Sequence, residues 1–202
     1  MPYLFSNQVK SGLKILLLSL IVTIISSCTV ESNSITVENA EQLNQAINDA
    51  KPSDVIVMKN GVWKDVEIEF TGNGTESKPI TIKAETAGKV FIEGVSNLKF
   101  GGKYLIVDGL HFRKGYSPND AVVEFRIDKE TIANNCTFTN SVIEDFNKMT
   151  RDDADRWVQF WGRHNTLSNC YIAGKTNRGP TIRVDLKGNE HINNYHQIVN
   201  NH

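Results

Sequence analysis

Short apolar runs separated by polar turns fill most of the chain. From Asp54 onward the runs at residues 55–58, 66–70, 80–84, 90–92 and 104–107 are rich in β-branched side chains and bounded by Gly, Asn and Pro. Runs of that length without a helical period predict strands. Residues 35–37, Ile-Thr-Val, predict one more. Helical spacing is convincing only at Leu43, Ala46 and Ile47, behind Asn39, and predicts a helix over residues 40–50. An amphipathic helix ahead of stacked strands is expected to cover their open first layer.

A phrase of one polar or small residue, one buried small residue, one variable position and an apolar close returns along the second half. It reads Gly109-Leu110-His111-Phe112, Asn135-Cys136-Thr137-Phe138, Asn169-Cys170-Tyr171-Ile172 and Asn200-Asn201-His202. The copies are 26, 34 and 31 positions apart. Unequal returns in this range suit a parallel β-helix, in which strands keep register while loops vary in length. On that reading Asn135, Asn169 and Asn200 form a ladder of mutually bonded amides. Leu110, Cys136 and Cys170 then share one inward row. The phrase favours an all-β solenoid over a Greek-key sandwich, which offers no reason for one phrase to recur in register.

The residue balance changes little in this picture. Lys and Arg number 22 against 23 Asp and Glu, so net charge gives no reason to expect nucleic acid as a partner. The N-terminus is more specific. Lys10 and Lys14 precede an apolar run over residues 15–25 that is short for a membrane span, and Ile25-Ser26-Ser27-Cys28 follows. These four residues resemble the lipobox of bacterial lipoproteins. The resemblance implies a signal peptide at residues 1–27, lipidation of Cys28, a tether over 28–34 and a lipid anchor in the bacterial cell envelope. The remaining residues, 35–202, form the predicted cap and coils. Export permits a disulfide between Cys136 and Cys170. Equivalent inward positions instead predict free, buried thiols.

Several longer stretches carry a family resemblance: residues 60–63, Asn-Gly-Val-Trp; residues 72–75, Gly-Asn-Gly-Thr; and residues 78–86, beginning Lys-Pro-Ile-Thr-Ile. Residues 88–90, residues 104–110 and residues 175–180, Lys-Thr-Asn-Arg-Gly-Pro, extend it. The chain from about Ser34 to His202 resembles the N-terminal part of polysaccharide lyase family 6, whose members cleave alginate or dermatan sulfate. The resemblance implies a right-handed parallel β-helix of the pectate-lyase kind and an anionic polysaccharide as partner. It also implies a calcium ion held by an Asn and two Glu, a Lys base and an Arg acid. All five are expected in coils beyond His202, so no catalytic or metal residue is assigned here and the sequence is expected to be a fragment. A noncatalytic carbohydrate-binding or surface β-helix protein is the alternative.

Removing the weakly acidic C5 proton of a uronate requires its carboxylate to be neutralised, with a base and an acid in reach. Candidate contacts to such a polymer are Lys175, Asn177, Arg178 and Arg183, since guanidinium groups pair with carboxylates bidentately. Residues 157–161 alternate as a strand should, with Trp157, Gln159 and Trp161 on one face and Val158 and Phe160 on the other. Asp152, Asp153 and Asp155 lack the spacing of a calcium loop and read as a solvated turn. His164, His191, His196 and His202 have no zinc spacing and read as surface or turn residues.

Overall fold

The computed structural model describes residues 33–186, 188, 191 and 193–202. The signal segment at 1–27, Cys28 and all but the last two tether residues lie outside the described residues. Ser34 already belongs to the first strand.

Short strands stack in parallel into three sheets. Sheet A has seven: Ser34–Val37, Val55–Met58, Ile80–Ala84, Leu105–Asp108, Thr137–Thr139, Thr166–Ser168 and Gln197–Val199. Sheet B runs through Gly61–Lys64, Val90–Val95, Leu110–Tyr116, Val142–Glu144 and Tyr171–Ala173. Sheet C runs through Glu67–Asn73, Asn97–Lys103, Ala121–Glu124, Arg156–Phe160 and Ile182–Val184, with Ala133–Asn134 paired to the far end of its second strand. The chain visits A, B and C in turn and each strand pairs with its counterpart one coil on, which is a parallel β-helix of about five turns.

Side-chain alternation sends every second residue inward. Sheet A contributes the inward row Ile56, Ile82, Val107, Phe138 and Leu167, all fully buried. Sheet C contributes Phe70, Phe100, Phe125 and Phe160, also fully buried. The Phe100 and Phe125 rings lie 4.8 Å apart and those of Phe125 and Phe160 4.7 Å, each pair within 6° of parallel. That spacing is the separation of neighbouring strands, so register itself imposes the stack.

The helix Ala40–Asp49 is where the sequence places it. Asn39 caps it, its Oδ1 accepting from the Gln42 backbone N–H at 2.9 Å. Leu43, Ala46 and Ile47 are buried and face the first coil.

The four-fold phrase is not one corner repeated. Gly109, Asn140, Asn169 and Asn200 occupy the turn from sheet A to sheet B, all with positive φ, at spacings of 31, 29 and 31. Tyr104, Asn135, His164 and Tyr195 occupy the turn entering sheet A, again with positive φ and the same spacings. Asn135 therefore stacks on Tyr104 and His164, not on Asn169. Cys136 lies level with Leu105 and Asn165, whereas Cys170 lies level with Leu110, Ser141 and Asn201. The single row of Leu110, Cys136 and Cys170 is corrected to two rows at opposite ends of the sheet A strands.

The physical reason is that each coil has two such corners with the same local demand. Each needs a left-handed residue, for which Gly and Asn are suited, followed by a small buried one. The amide ladder is corrected too. Among the described residues no side-chain hydrogen bond is made by Asn135, Asn169 or Asn200, which serve the corner through their backbone. The bonding amides sit one residue later in the coil. Asn165 Oδ1 accepts from the Cys136 N–H and Asn201 Oδ1 from the Cys170 N–H, both at 2.9 Å. The two cysteines are free and buried as expected, and burial pushes their thiols up to about 12 and about 11.

Candidate functional site

The outer face of sheet C carries a row of charged and polar residues. Its middle row, read along the helix axis, is Glu69, Lys99, Glu124, Gln159 and Arg183. Beside it, Arg126, Trp161 and Asp185 follow those strands at one level. A cavity of about 580 Å³ opens over the last three coils and is lined by Arg126, Lys129, Arg156 and Arg183 against Asp120 and Asp185, with Trp161 and Gln159 in its floor.

The floor is rigid. Arg126 lays its guanidinium over the Trp161 indole, 3.6 Å from the ring centroid, while its Nε donates to Glu124 Oε1 at 2.6 Å. Arg183 pairs with Asp185 at 2.9 Å, and Gln159 Nε2 donates to the same carboxylate oxygen at 3.0 Å. Arg156 reaches Asp120 at 3.3 Å. Two buried polar atoms remain without a partner, Gln159 Oε1 and Trp161 Nε1. Both atoms are closed off from the cavity, as are the unpartnered Asn97, Asp155, Trp157 and His196 atoms elsewhere, so they belong to the packed floor and not to the lining that a ligand would touch. The arrangement offers clustered cations for carboxylates beside the Arg126–Trp161 pair.

Of the four residues that sequence singled out, only Arg183 lies in this cavity. Lys175 and Asn177 turn inward. Lys175 Nζ donates to Asp155 and, at 2.9 Å, to Asn177 Oδ1, and the Lys175 and Asp155 side chains are 8% and 0% exposed. Asn177 Nδ2 donates to the Asp153 carbonyl at 2.7 Å. These contacts clamp the turn after sheet B to the loop before Arg156. Gly179 completes the clamp, because at φ +100° an added Cβ would collide with the Asp155 carbonyl oxygen. Arg178 is exposed and meets exposed Asp152 at 3.4 Å. Asp155 is thus a buried ion-pair partner, a correction to the solvated turn read at residues 152–155. His196 also departs from a surface role, since its half-buried ring packs at a tilt on Phe160, 4.8 Å between centroids, and accepts from the Asn165 N–H through Nδ1.

Sequence reasoning saw the face carrying Gln159 and Trp161 but missed Arg126, Lys129 and Arg156 as their neighbours. Lateral pairing brings them together across about 30 positions of sequence, and nothing local marks it. No cluster of three or more His, Cys, Asp or Glu among the described residues offers a set of metal ligands. The donor set here does not fit calcium, so no chemistry is routed through that ion.

A sequence profile for chondroitinase B matches residues 37–202. The chain belongs to that family. Solved structures of polysaccharide lyase family 6 agree. The alginate lyase AlyGC shares 40% identity at a TM-score of 0.80 over 82% of this chain. The polysaccharide lyase Pedsa3628 from Pseudopedobacter saltans shares 36% at 0.73 over 81%, and a mannuronic acid specific family 6 lyase from human gut microbiota 30% at 0.75 over 82%. The family member described here spans 23%, 36% and 39% of the length of those three chains. Comparison with curated proteins yields no match.

Proposed function

We propose that this family member acts on uronic-acid polymers, alginate first among them, and that the polymer lies along the outer face of sheet C. The observation that carries the reading is the cavity over the last three coils, where Arg126, Lys129, Arg156 and Arg183 line one recess around Trp161 and Gln159. Guanidinium groups hold carboxylates, and the Arg126–Trp161 stack offers a flat platform to a sugar ring. Holding the uronate carboxylate beside fixed cations favours the negative charge that develops when the C5 proton leaves, as β-elimination requires. The relatives' names, alginate lyase and mannuronic acid specific lyase, point to the same reaction class, with dermatan sulfate as the second polymer to try.

The experiment measures binding of tetramannuronate to the 202-residue chain by calorimetry, alongside ultraviolet absorbance of unsaturated product from polymannuronate, polyguluronate and dermatan sulfate. Binding that weakens at least tenfold in the Arg156→Ala, Arg183→Ala double variant supports the reading. Product formation adds the lyase activity, whereas binding without product favours the noncatalytic alternative. Absence of binding, or binding indifferent to the double variant, overturns it.

For location, Ile25-Ser26-Ser27-Cys28 supports a lipid anchor in the bacterial cell envelope. Radiolabelled palmitate should enter the wild type and not Cys28→Ala, and equal labelling of the two would contradict the anchor.

A further inference from the structure

The groove on sheet C changes sign along the helix axis. In the cavity over the last three coils, described cations outnumber anions, Arg126, Lys129, Arg156 and Arg183 against Asp120 and Asp185. One coil toward the N-terminus a second cavity shares Asp120, Arg126 and Lys129 but adds Glu124, Asp128 and Glu130 against Lys99 alone. A third cavity, over the first coil, carries Glu67 and Glu69 and no cation.

Asp120, Arg126 and Lys129 line both of the first two cavities, so their side chains form the partition between them. They come from opposite sides of one strand. Asp120 directly precedes Ala121–Glu124, while Arg126 and Lys129 follow it. The pieces are held in place, Asp120 by Arg156 and Arg126 by both Glu124 and the Trp161 face. Cations are paired on both sides of the partition, Arg126 with Glu124, Arg156 with Asp120 and Arg183 with Asp185 in the basic cavity and Lys99 with Glu69 beyond it, so the difference in sign lies in the groups left over among the described residues: Lys129 on one side, Asp128, Glu130 and Glu67 on the other.

From this we infer that the basic cavity is the terminal subsite of the groove. It takes the end residue of an acidic oligosaccharide, and the rest of that oligosaccharide runs toward the C-terminal coils. The inference rests on the uronate-binding reading above and adds a direction and a stop to it. Coils repeat about every 4.8 Å, so a polymer passing the partition would bring carboxylates toward Asp128 and Glu130, then Glu67, within one or two sugar residues. Like charges at that range, closer than the ~10 Å screening length at 0.1 M salt, reject the longer path while the cations accept the shorter one. A groove that rejects on one side and binds on the other recognises an end, not an internal segment.

The test uses tetramannuronate with a bulky fluorophore at the reducing end, the same group at the non-reducing end, and the unlabelled sugar, each titrated onto the 202-residue chain. The expected result is that one labelled form binds within about twofold of the unlabelled sugar while the other loses at least tenfold. A groove open at both ends would tolerate both labels equally, and a cavity closed all round would reject both. Either result overturns the terminal subsite. Failure of the unlabelled sugar to bind is a different outcome, which removes the uronate reading beneath it. As a second measurement, the Glu67→Gln, Glu69→Gln, Glu130→Gln triple variant should bind long polymannuronate more tightly, by at least threefold, and tetramannuronate unchanged. An unchanged polymer affinity contradicts repulsion as the basis of the stop.

Discussion

The two faces of sheet C are made by the same strands and obey opposite rules. Inside, Phe100, Phe125 and Phe160 stack in register, and Phe70 continues the row with its ring tilted. Outside, one residue away along each strand, Glu69, Lys99, Glu124, Gln159 and Arg183 form a row whose charge varies along the axis. The inner row is what the β-helix needs in order to exist. The outer row carries charged side chains paired with one another, which the packing of the coil does not call for. Their difference separates residues that build the coil from residues that use it.

Substitutions on the two faces should therefore diverge. The largest loss of stability is expected inside, where Phe125→Ala removes a ring that stacks on both neighbours and should cost about 3–5 kcal/mol in urea unfolding. Lys175→Met should cost a comparable amount, about 3–5 kcal/mol, because it strands the fully buried Asp155 carboxylate. Restoring neutrality with Asp155→Asn in the same chain should recover part of that loss. A Lys175→Met chain as stable as wild type would return Lys175 to the groove side of the comparison. Outside, the Arg156→Ala, Arg183→Ala double variant should leave the unfolding midpoint nearly unmoved while sugar binding falls.

Smaller effects sharpen the same line. Burial holds the His196 imidazole below its ordinary range, and its Nε2 is buried without a partner. The unfolded chain then binds more protons than the folded one as pH falls below about 6.5, so this part of the stability is present above that pH and lost below it. Urea midpoints at pH 7.5 and 5.5 should differ more in wild type than in His196→Gln, and equal differences would contradict a buried neutral ring. Smallest of all, Arg178→Ala breaks only an exposed pair with Asp152 and should change stability by less than about 0.5 kcal/mol.

The sequence discloses the inner face well, because inward rows leave a local record. The runs at residues 55–58 and 80–84, the alternation of Val158 and Phe160 and the helix behind Asn39 all appear where they were expected. Corners leave a record too, but an ambiguous one. Asn135-Cys136 and Asn169-Cys170 look alike because two corners per coil both require a left-handed residue before a small buried one. Only strand pairing tells them apart. Of the cavity lining only Arg183 was singled out from sequence; the strand of Gln159 and Trp161 was recognisable, but its Trp face read as packing. Arg126 and Arg156 escaped notice because their neighbours are one coil away, and coil length varies with the loops. Lys175 misled for a related reason: a lysine in a polar turn reads as exposed unless Asp155, 20 positions earlier, is known to lie beneath it.

The central claim is that acidic polysaccharide occupies the outer face of sheet C over its later coils. Hydrogen exchange of the 202-residue chain with and without saturating tetramannuronate tests it most directly. The expected result is added protection confined to peptides covering residues 121–132, 156–163 and 182–186, with none over 67–73. Protection centred instead on the outer faces of sheets A or B, or spread over the first coils, would contradict it.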